Sequence, residues 1–135
     1  MTSLTALLGF ALWTALLVAG VFSYRGLRVL GGTPINAWPR GNKPAGDMPF
    51  IKRLEDAHAN SLENLPLFAV IVLAAAAMGK TALIEPFCAW VLYARIGQSS
   101  VHLLGTGVAH VLIRATFWGV QLGLFLFMFY RLLTV

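Results

Sequence analysis

An uncharged, largely apolar run of 19 residues near the start of the chain, residues 4–22, most restricts what this sequence can fold into. About 20 such residues in a helix span the hydrocarbon core of a bilayer. A cleaved signal peptide would have a Lys or Arg before a shorter apolar core and a small-residue cleavage site after it. This run has none of these features. The run therefore predicts a membrane-spanning helix that stays attached to the rest of the chain.

Composition extends this prediction to the whole chain. Of the 135 residues, 59% are hydrophobic and 11% are charged, against roughly 25% charged in soluble domains. We therefore expect an integral, multi-pass membrane protein in contact with lipid. At about 20 residues for each crossing, the length allows three or four helices within a single domain, residues 1–135. Four aromatic residues near the end of the chain are expected to face lipid: Phe125, Phe127, Phe129 and Tyr130.

Four helices are predicted, at about residues 4–28, 50–79, 83–104 and 108–133. Residues 31–49 contain four Gly and four Pro, which excludes a helix and predicts a surface loop at about residues 29–49. Glu85 and Pro86 suit the first turn of the third helix, since an acid favours the helix dipole and a missing donor is harmless there. The expected fold is an all-α membrane protein, a bundle of four transmembrane helices.

Basic residues concentrate between the first two apolar segments. Six of the ten lie there: Arg25, Arg28, Arg40, Lys43, Lys52 and Arg53. By the positive-inside rule, this cluster places the loop in the cytosol and both termini on the other side. In a bacterium the membrane would be the inner, or cell, membrane. The net charge of +5 therefore indicates orientation in a membrane and not a nucleic-acid partner.

Polar side chains recur at helical spacing on each of the last three predicted helices. The sets are Arg53, Asp56, Asn60 and Glu63 on the second helix, Arg95, Gln98 and His102 on the third, and His110, Arg114, Trp118 and Gln121 on the fourth. Steps of three and four place each set on one helix face. At 1.5 Å per residue, Arg114 lies about 10 Å and Arg95 about 15 Å from the turn at residues 105–107. The three sets should therefore meet in the cytosolic half of the membrane as a polar pocket, with no polar path across the bilayer.

Glu63 is the acid carried furthest into an apolar segment. An unpaired ionisable group near the bilayer centre costs about 3 kcal/mol, so Glu63 should face other helices or a wet cavity. Three residues later Pro66 removes a backbone donor and should kink the helix. Two interpretations of Glu63 remain open: an ion pair with Arg95 that fixes helix register, or a contact with a ligand.

The other polar residues also allow two interpretations. Arg114 has no acid partner on its own helix, which favours a functional cation, but its side chain could instead reach the cytosolic surface. Asn60 could bind a ligand or form a hydrogen bond between helices. No Cys or carboxylate lies at ligand spacing beside His58, His102 and His110, so we expect no metal or haem site.

Three short segments carry a resemblance to a known family. They are A-H-A-N-S-L-E-N-L-P-L-F at residues 57–68, L-Y-A-R at residues 92–95 and L-I-R at residues 112–114. Together with helix number and loop placement, they resemble the MAPEG family, the membrane-associated proteins of eicosanoid and glutathione metabolism. The resemblance implies a homotrimer of four-helix subunits, with glutathione bound as cosubstrate between neighbouring subunits near the cytosolic side. It also implies that Asn60 and Glu63 contact the peptide part of glutathione, that Arg95 holds the site together and that Arg114 stands near the sulfur.

The chain departs from the pattern of the glutathione-using members at four positions. Those members usually carry arginines where this chain has Asp56 and Ala59, and a His and a Tyr where it has Gln98 and His102. Glutathione carries two carboxylates, so an aspartate in place of an arginine turns an attraction into a repulsion unless Arg53 or Arg28 compensates.

The leading functional hypothesis is a membrane-bound, glutathione-dependent transferase or peroxidase that acts on a lipophilic electrophile arriving from the bilayer. Arg114 would be catalytic, because a guanidinium beside a thiol stabilises the thiolate. Five residues would bind the ligand: Arg53, Asn60, Glu63, Arg95 and His102. The alternative is a non-catalytic trimeric membrane protein whose polar cluster is structural or binds a lipid headgroup. A transporter is disfavoured because no polar path crosses the predicted bundle.

Overall fold

The computed structural model describes residues 1–39 and 46–135, and all regular structure in these ranges is helical. The four long helices are α1 (Ser3–Leu30), α2 (Pro49–Ala77), α3 (Glu85–Leu104) and α4 (Val108–Thr134), with a 3-10 turn, Thr81–Leu83, before α3. The predicted all-α, four-helix fold is confirmed. Two basic residues of the loop, Arg40 and Lys43, lie outside the described ranges.

The first residues of α1 and α3 are held side by side. The backbone N–H of Ser3 donates to Glu85 Oε1 at 3.3 Å. Glu85 is the first residue of α3 and Pro86 the second, so both lie in its first turn, as the sequence predicted. Because both helices begin at this contact, α1 and α3 run parallel, and α2 and α4 return in the opposite direction.

The end of α2 shows why the chain turns at residue 79. Gly79 has φ of +66°, a left-handed conformation that glycine adopts without a steric penalty. The N–H of Lys80 donates to Ala75 O at 2.8 Å and that of Gly79 to Ala76 O at 3.2 Å. These two bonds form a Schellman motif, which satisfies carbonyl groups left free at a helix end.

Three helices in the described ranges are long and apolar enough to cross a membrane: α1, α2 and α4. α2 continues through Pro66 from Pro49 to Ala77. α3 has 20 residues, about 30 Å, but contains Arg95, Gln98 and His102. The chain is therefore an integral membrane protein, and a full crossing by α3 stays a prediction.

Three phenylalanines form the centre of the main core. The ring centroids of Phe10 and Phe68 are 5.6 Å apart, and those of Phe68 and Phe125 are 6.1 Å apart. These residues come from α1, α2 and α4, so the core joins all three spanning helices. The expectation that Phe125 faces lipid was wrong. Phe125 shares the buried face of α4 with Gln121 and Met128, whereas Phe127 and Tyr130 are exposed.

α3 and α4 pack closely at two glycines of the α3 side, which have no side chain to keep the helices apart. A Cβ atom added to Gly97 would lie 2.8 Å from Phe117 Cζ, which is closer than packed carbons approach. Near the turn, a Cβ atom added to Gly105 would lie 2.9 Å from the ring of His110. These two close pairs define the register between α3 and α4.

Candidate functional site

A polar cluster joins α2 to the last turn of α3. Asn60 Nδ2 lies 3.4 Å from His102 Nδ1, and His102 is buried. Arg53 Nε donates to Leu103 O at 3.0 Å. A cation at a helix C-terminus satisfies a free carbonyl and interacts favourably with the helix dipole. Two of the five predicted ligand-binding residues, Asn60 and His102, therefore contact each other. A third, Arg53, bonds to the backbone of the residue that follows His102.

Arg114 lies at the same level of the bundle as this cluster. In the register defined above, His110 opposes Gly105 and Phe117 opposes Gly97, so Arg114 falls opposite residues 100–101 of α3, at nearly the same level as His102. Arg114 is half-buried on the inward side of α4, and its buried Nε has no hydrogen-bond partner among the described residues. It also has no acid within ion-pair distance in those ranges. Arg114 is therefore a cation with spare donor capacity at the depth where Asn60 and His102 meet.

Arg95 lies deep inside the bundle, in a network with two glutamines. Its side chain is fully buried, at 0% exposure, and Nε donates to Gln121 Oε1 at 3.1 Å. Gln121 Nε2 then donates to Gln98 Oε1 at 2.8 Å, and the Arg95 guanidinium lies 5.5 Å from the centre of the Phe10 ring. Arg95 Nη1 and Nη2 have no partner within the described ranges. Arg95 thus links α3 to α4 inside the subunit, about two turns deeper than His102.

Glu63 does not form the predicted ion pair with Arg95 within the subunit. Among the described residues, no contact of 4.0 Å or less joins their charged atoms, although Glu63 is near enough to act electrostatically on Arg95. The cause is helix rotation: Ser61 points into the bundle with no exposed surface, and Glu63 follows it by about 200° at 100° per residue. Glu63 therefore lies on the exposed outer side of α2.

A groove of about 390 Å³ lies on the outer surface between α1 and α2. It is lined by Val18, Val21 and Arg25 of α1 and by Glu55, Asp56, His58 and Ala59 of α2. Arg25 Nη2 binds Glu55 Oε1 at 2.7 Å across this groove. Asp56 and Ala59, where the resemblance would place arginines, are thus wall residues of one cavity.

Arg28, one of the two arginines expected to compensate for Asp56, is committed to the loop. Its Nη1 lies 3.2 Å from Asp47 Oδ1 and 2.9 Å from the hydroxyl of Tyr24. The indole Nε1 of Trp38 also donates to Asp47, at 3.1 Å to Oδ2. Asp47 is therefore the centre of a hydrogen-bonded clasp that closes the loop onto the end of α1.

One polar contact and one buried hydroxyl group inside the bundle carry no signal in the sequence pattern. The hydroxyl groups of Thr14 and Ser61 are 2.7 Å apart between α1 and α2, and both residues are buried. Ser99, one turn after Arg95, is buried with no partner for its hydroxyl among the described residues. Single serines and threonines occur throughout apolar helices, so only the helix rotations reveal which of them meet. In the same ranges, no three His, Cys, Asp or Glu side chains come together as metal ligands.

Comparison with known proteins assigns the chain to a family. A family model described as the MAPEG family matches residues 3–134, which is nearly the full length and includes all four helices. Comparisons with curated proteins and with solved structures gave no match. The chain is therefore a member of the MAPEG family, an integral membrane protein of the type that serves glutathione and eicosanoid metabolism.

Proposed function

We propose that this protein is a membrane-bound transferase or peroxidase that uses glutathione against lipophilic electrophiles. The observation that carries the proposal is Arg114, whose Nε is buried without a partner at the level of the Asn60–His102 contact. A buried donor without an acceptor is energetically costly and is usually retained for a ligand or a structural water. An anion held beside Arg114 would supply that acceptor.

The chemistry follows from placing a thiol sulfur beside this guanidinium. A nearby cation lowers the pKa of a thiol, so that the nucleophilic thiolate is present at neutral pH. The thiolate sulfur then bonds to an electrophilic carbon. Either a leaving group departs from that carbon, or an epoxide ring opens and its oxygen takes up the proton that the thiol released. With a lipid hydroperoxide, two glutathione molecules would give a disulfide while the hydroperoxide is reduced to an alcohol and water.

The exposed carboxylate of Glu63 supports an assembly in which subunits complete each other's sites. A charged group that faces hydrocarbon costs about 3 kcal/mol even on the membrane-insertion scale, which gives the lowest costs. A neighbouring subunit against the outer side of α2 would cover Glu63 and give it polar partners. We therefore propose a homotrimer, with glutathione between subunits, Glu63 and Asn60 on its peptide part, and the loop between α1 and α2 on the cytosolic side.

Titration calorimetry of the purified protein with glutathione tests this proposal. A matched control ligand is the glutathione analogue in which a methyl group replaces the thiol. The proposal predicts that both ligands bind, since the peptide contacts are shared, and that only glutathione gives a thiolate absorbance in the ultraviolet. If neither ligand binds at millimolar concentration, the proposal is wrong.

A second candidate function is structural, and the Arg95 network favours it. Arg95, Gln98 and Gln121 bond to one another inside one subunit, and Arg53 caps α3. These contacts need no ligand. If this candidate is correct, glutathione leaves the thermal unfolding temperature unchanged, whereas a ligand that binds the folded state raises it.

A further inference from the structure

A second cavity, of about 330 Å³, lies at the end of α1, away from the polar cluster on α2, α3 and α4. It is bounded by the α1 segment from residue 22 to residue 30 and by Ile35 and Trp38 of the loop, and we call it the loop pocket. Its volume falls in the range of about 300–1,000 Å³ that is common for small-molecule sites.

The walls of the loop pocket are mostly apolar, yet they stand at the edge of the membrane. α1 has 28 residues and is about 42 Å long, whereas the hydrocarbon core is about 30 Å thick, so its last turns reach the headgroup level. Three apolar side chains of the pocket are highly exposed: Phe22 at 77%, Leu30 at 86% and Ile35 at 85%. Tyr24 and Trp38 are of the residue types that concentrate at this depth. The pocket therefore offers apolar surface where alkyl chains meet headgroups.

Arg25 gives the loop pocket its polar end. Its guanidinium carbon lies 5.6 Å from the centre of the Trp38 ring, and Nη2 is held by Glu55 at 2.7 Å. Its Nε is buried and has no hydrogen-bond partner among the described residues. The Arg25 side chain as a whole is still 37% exposed, so its guanidinium can meet an anionic oxygen in the pocket.

The charge of the surrounding sequence has the same sign. From residue 25 to residue 56 the chain contains six basic residues and three acids, Asp47, Glu55 and Asp56, which leaves a net charge of +3. Basic segments next to spanning helices attract anionic headgroups. Charge and apolar walls together specify one chemistry, an alkyl chain with an anionic head.

We infer that the loop pocket binds one anionic amphiphile, with its chain along residues 22–30 of α1 and its carboxylate or phosphate on Arg25. This site does not depend on thiol chemistry. The amphiphile is a long-chain carboxylate or an anionic phospholipid, which share the chemistry that Arg25 recognises.

Gly26 provides a way to close the pocket without a clash in the protein. A Cβ atom added at Gly26 would meet no heavy atom within 4 Å, and Gly26 lines the pocket. Gly26→Leu therefore fills the cavity while leaving the helix intact. Gly123→Leu is the matched control, because a Cβ atom there also meets nothing within 4 Å and Gly123 is not a wall residue of the pocket.

The experiment measures quenching of Trp38 fluorescence by bromine on the lipid chain. A variant with Trp13, Trp90 and Trp118 replaced by Phe leaves Trp38 as the sole indole, and it is placed in nanodiscs of unbrominated phosphatidylcholine. If that variant does not fold, the difference between wild type and Trp38→Phe gives the same signal. The three added probes are a dibromo fatty acid, dibromo-phosphatidylglycerol and dibromo-phosphatidylcholine.

The inference predicts saturable quenching by at least one anionic probe and weak, non-saturable quenching by the phosphatidylcholine probe. Saturation by the fatty acid alone, by the phosphatidylglycerol alone, or by both identifies the source of the ligand.

Gly26→Leu should abolish saturation and Gly123→Leu should not. Arg25→Gln should weaken binding by about tenfold or more, as expected for a lost charge-assisted hydrogen bond. Equal quenching by all three probes, or saturation that survives Gly26→Leu, would overturn the inference.

Discussion

Arg95 on α3 donates through Nε to Gln121 on α4 at 3.1 Å, and this bond, not an ion pair with Glu63, holds the buried guanidinium within the subunit. Gln121 passes the interaction on to Gln98 at 2.8 Å. Because all three side chains are buried, any break in this chain leaves a polar group without a partner.

The first prediction concerns Gln121→Leu. This change removes the acceptor of Arg95 Nε and the donor to Gln98 Oε1, and each stranded group costs about 1–3 kcal/mol. We expect a matching loss in the free energy of unfolding, measured by denaturant titration in detergent. The control is Thr116→Ala on the exposed side of α4. Its hydroxyl donates to Leu112 O of the same helix, and the change should alter stability by less than about 0.5 kcal/mol. If Gln121→Leu were as stable as the wild type, the bond between Arg95 and Gln121 would not contribute to stability.

The number of helices and their ends follow directly from the sequence, because apolar runs, Gly and Pro mark them. The third helix begins at Glu85 because an acid and a proline both suit a first turn. The second helix ends at Ala77, two residues before its predicted end, because Gly79 adopts the left-handed conformation of a turn. These features depend on local chemistry alone.

The partners of the polar residues could not be predicted, because they depend on helix rotation. At 100° per residue, Asn60 lies only about 20° from Arg53 around α2, whereas Asp56 and Glu63 lie about 60° and 80° away. The predicted stripe is therefore wide enough for its two edges to have different surroundings. Arg53 and Asn60 contact α3, and Asp56 and Glu63 are exposed. Which edge turns inward is decided by packing across the whole bundle.

The second prediction separates the two interpretations of Asn60. Its bond to His102 is a single hydrogen bond between membrane helices, and such bonds contribute on average about 0.6 kcal/mol. Asn60→Ala should therefore change the unfolding free energy by less than about 1 kcal/mol. If Asn60 also binds the peptide part of glutathione, affinity measured by calorimetry should fall by about tenfold or more. A stability loss without any affinity loss would assign Asn60 to structure alone.

The third prediction concerns the aspartate in the outer groove. Asp56→Arg exchanges a carboxylate for a guanidinium on a wall that Ala59 also lines. We expect glutathione to bind about tenfold more tightly or better, because a charge-assisted contact contributes about 1.5–3 kcal/mol. Glu85→Arg, at the opposite end of the bundle, should leave affinity unchanged. Equal affinity in wild type and Asp56→Arg would mean that residue 56 does not face bound glutathione.

The fourth prediction concerns the clasp at Asp47. Asp47→Ala removes the acceptor of Trp38 Nε1 and the ion-pair partner of Arg28. The loop should then separate from α1, which exposes Trp38 to water. We expect a red shift of Trp38 emission and faster cleavage of the loop by a protease, with the unfolding of the helical bundle little changed. Unchanged emission and unchanged cleavage would show that other contacts hold the loop.

The central claim is that Arg114 serves as the cation for a bound thiolate, and ultraviolet absorbance of the thiolate tests it most directly. The measurement follows this absorbance while glutathione is added at neutral pH to wild type and to Arg114→Lys. Lysine keeps the positive charge but loses the planar donor fork, so binding should survive while the thiolate signal falls. The account predicts a saturable thiolate signal in wild type that is clearly weaker in Arg114→Lys. Bound glutathione without any thiolate signal in wild type, with binding shown by calorimetry on the same sample, would contradict it.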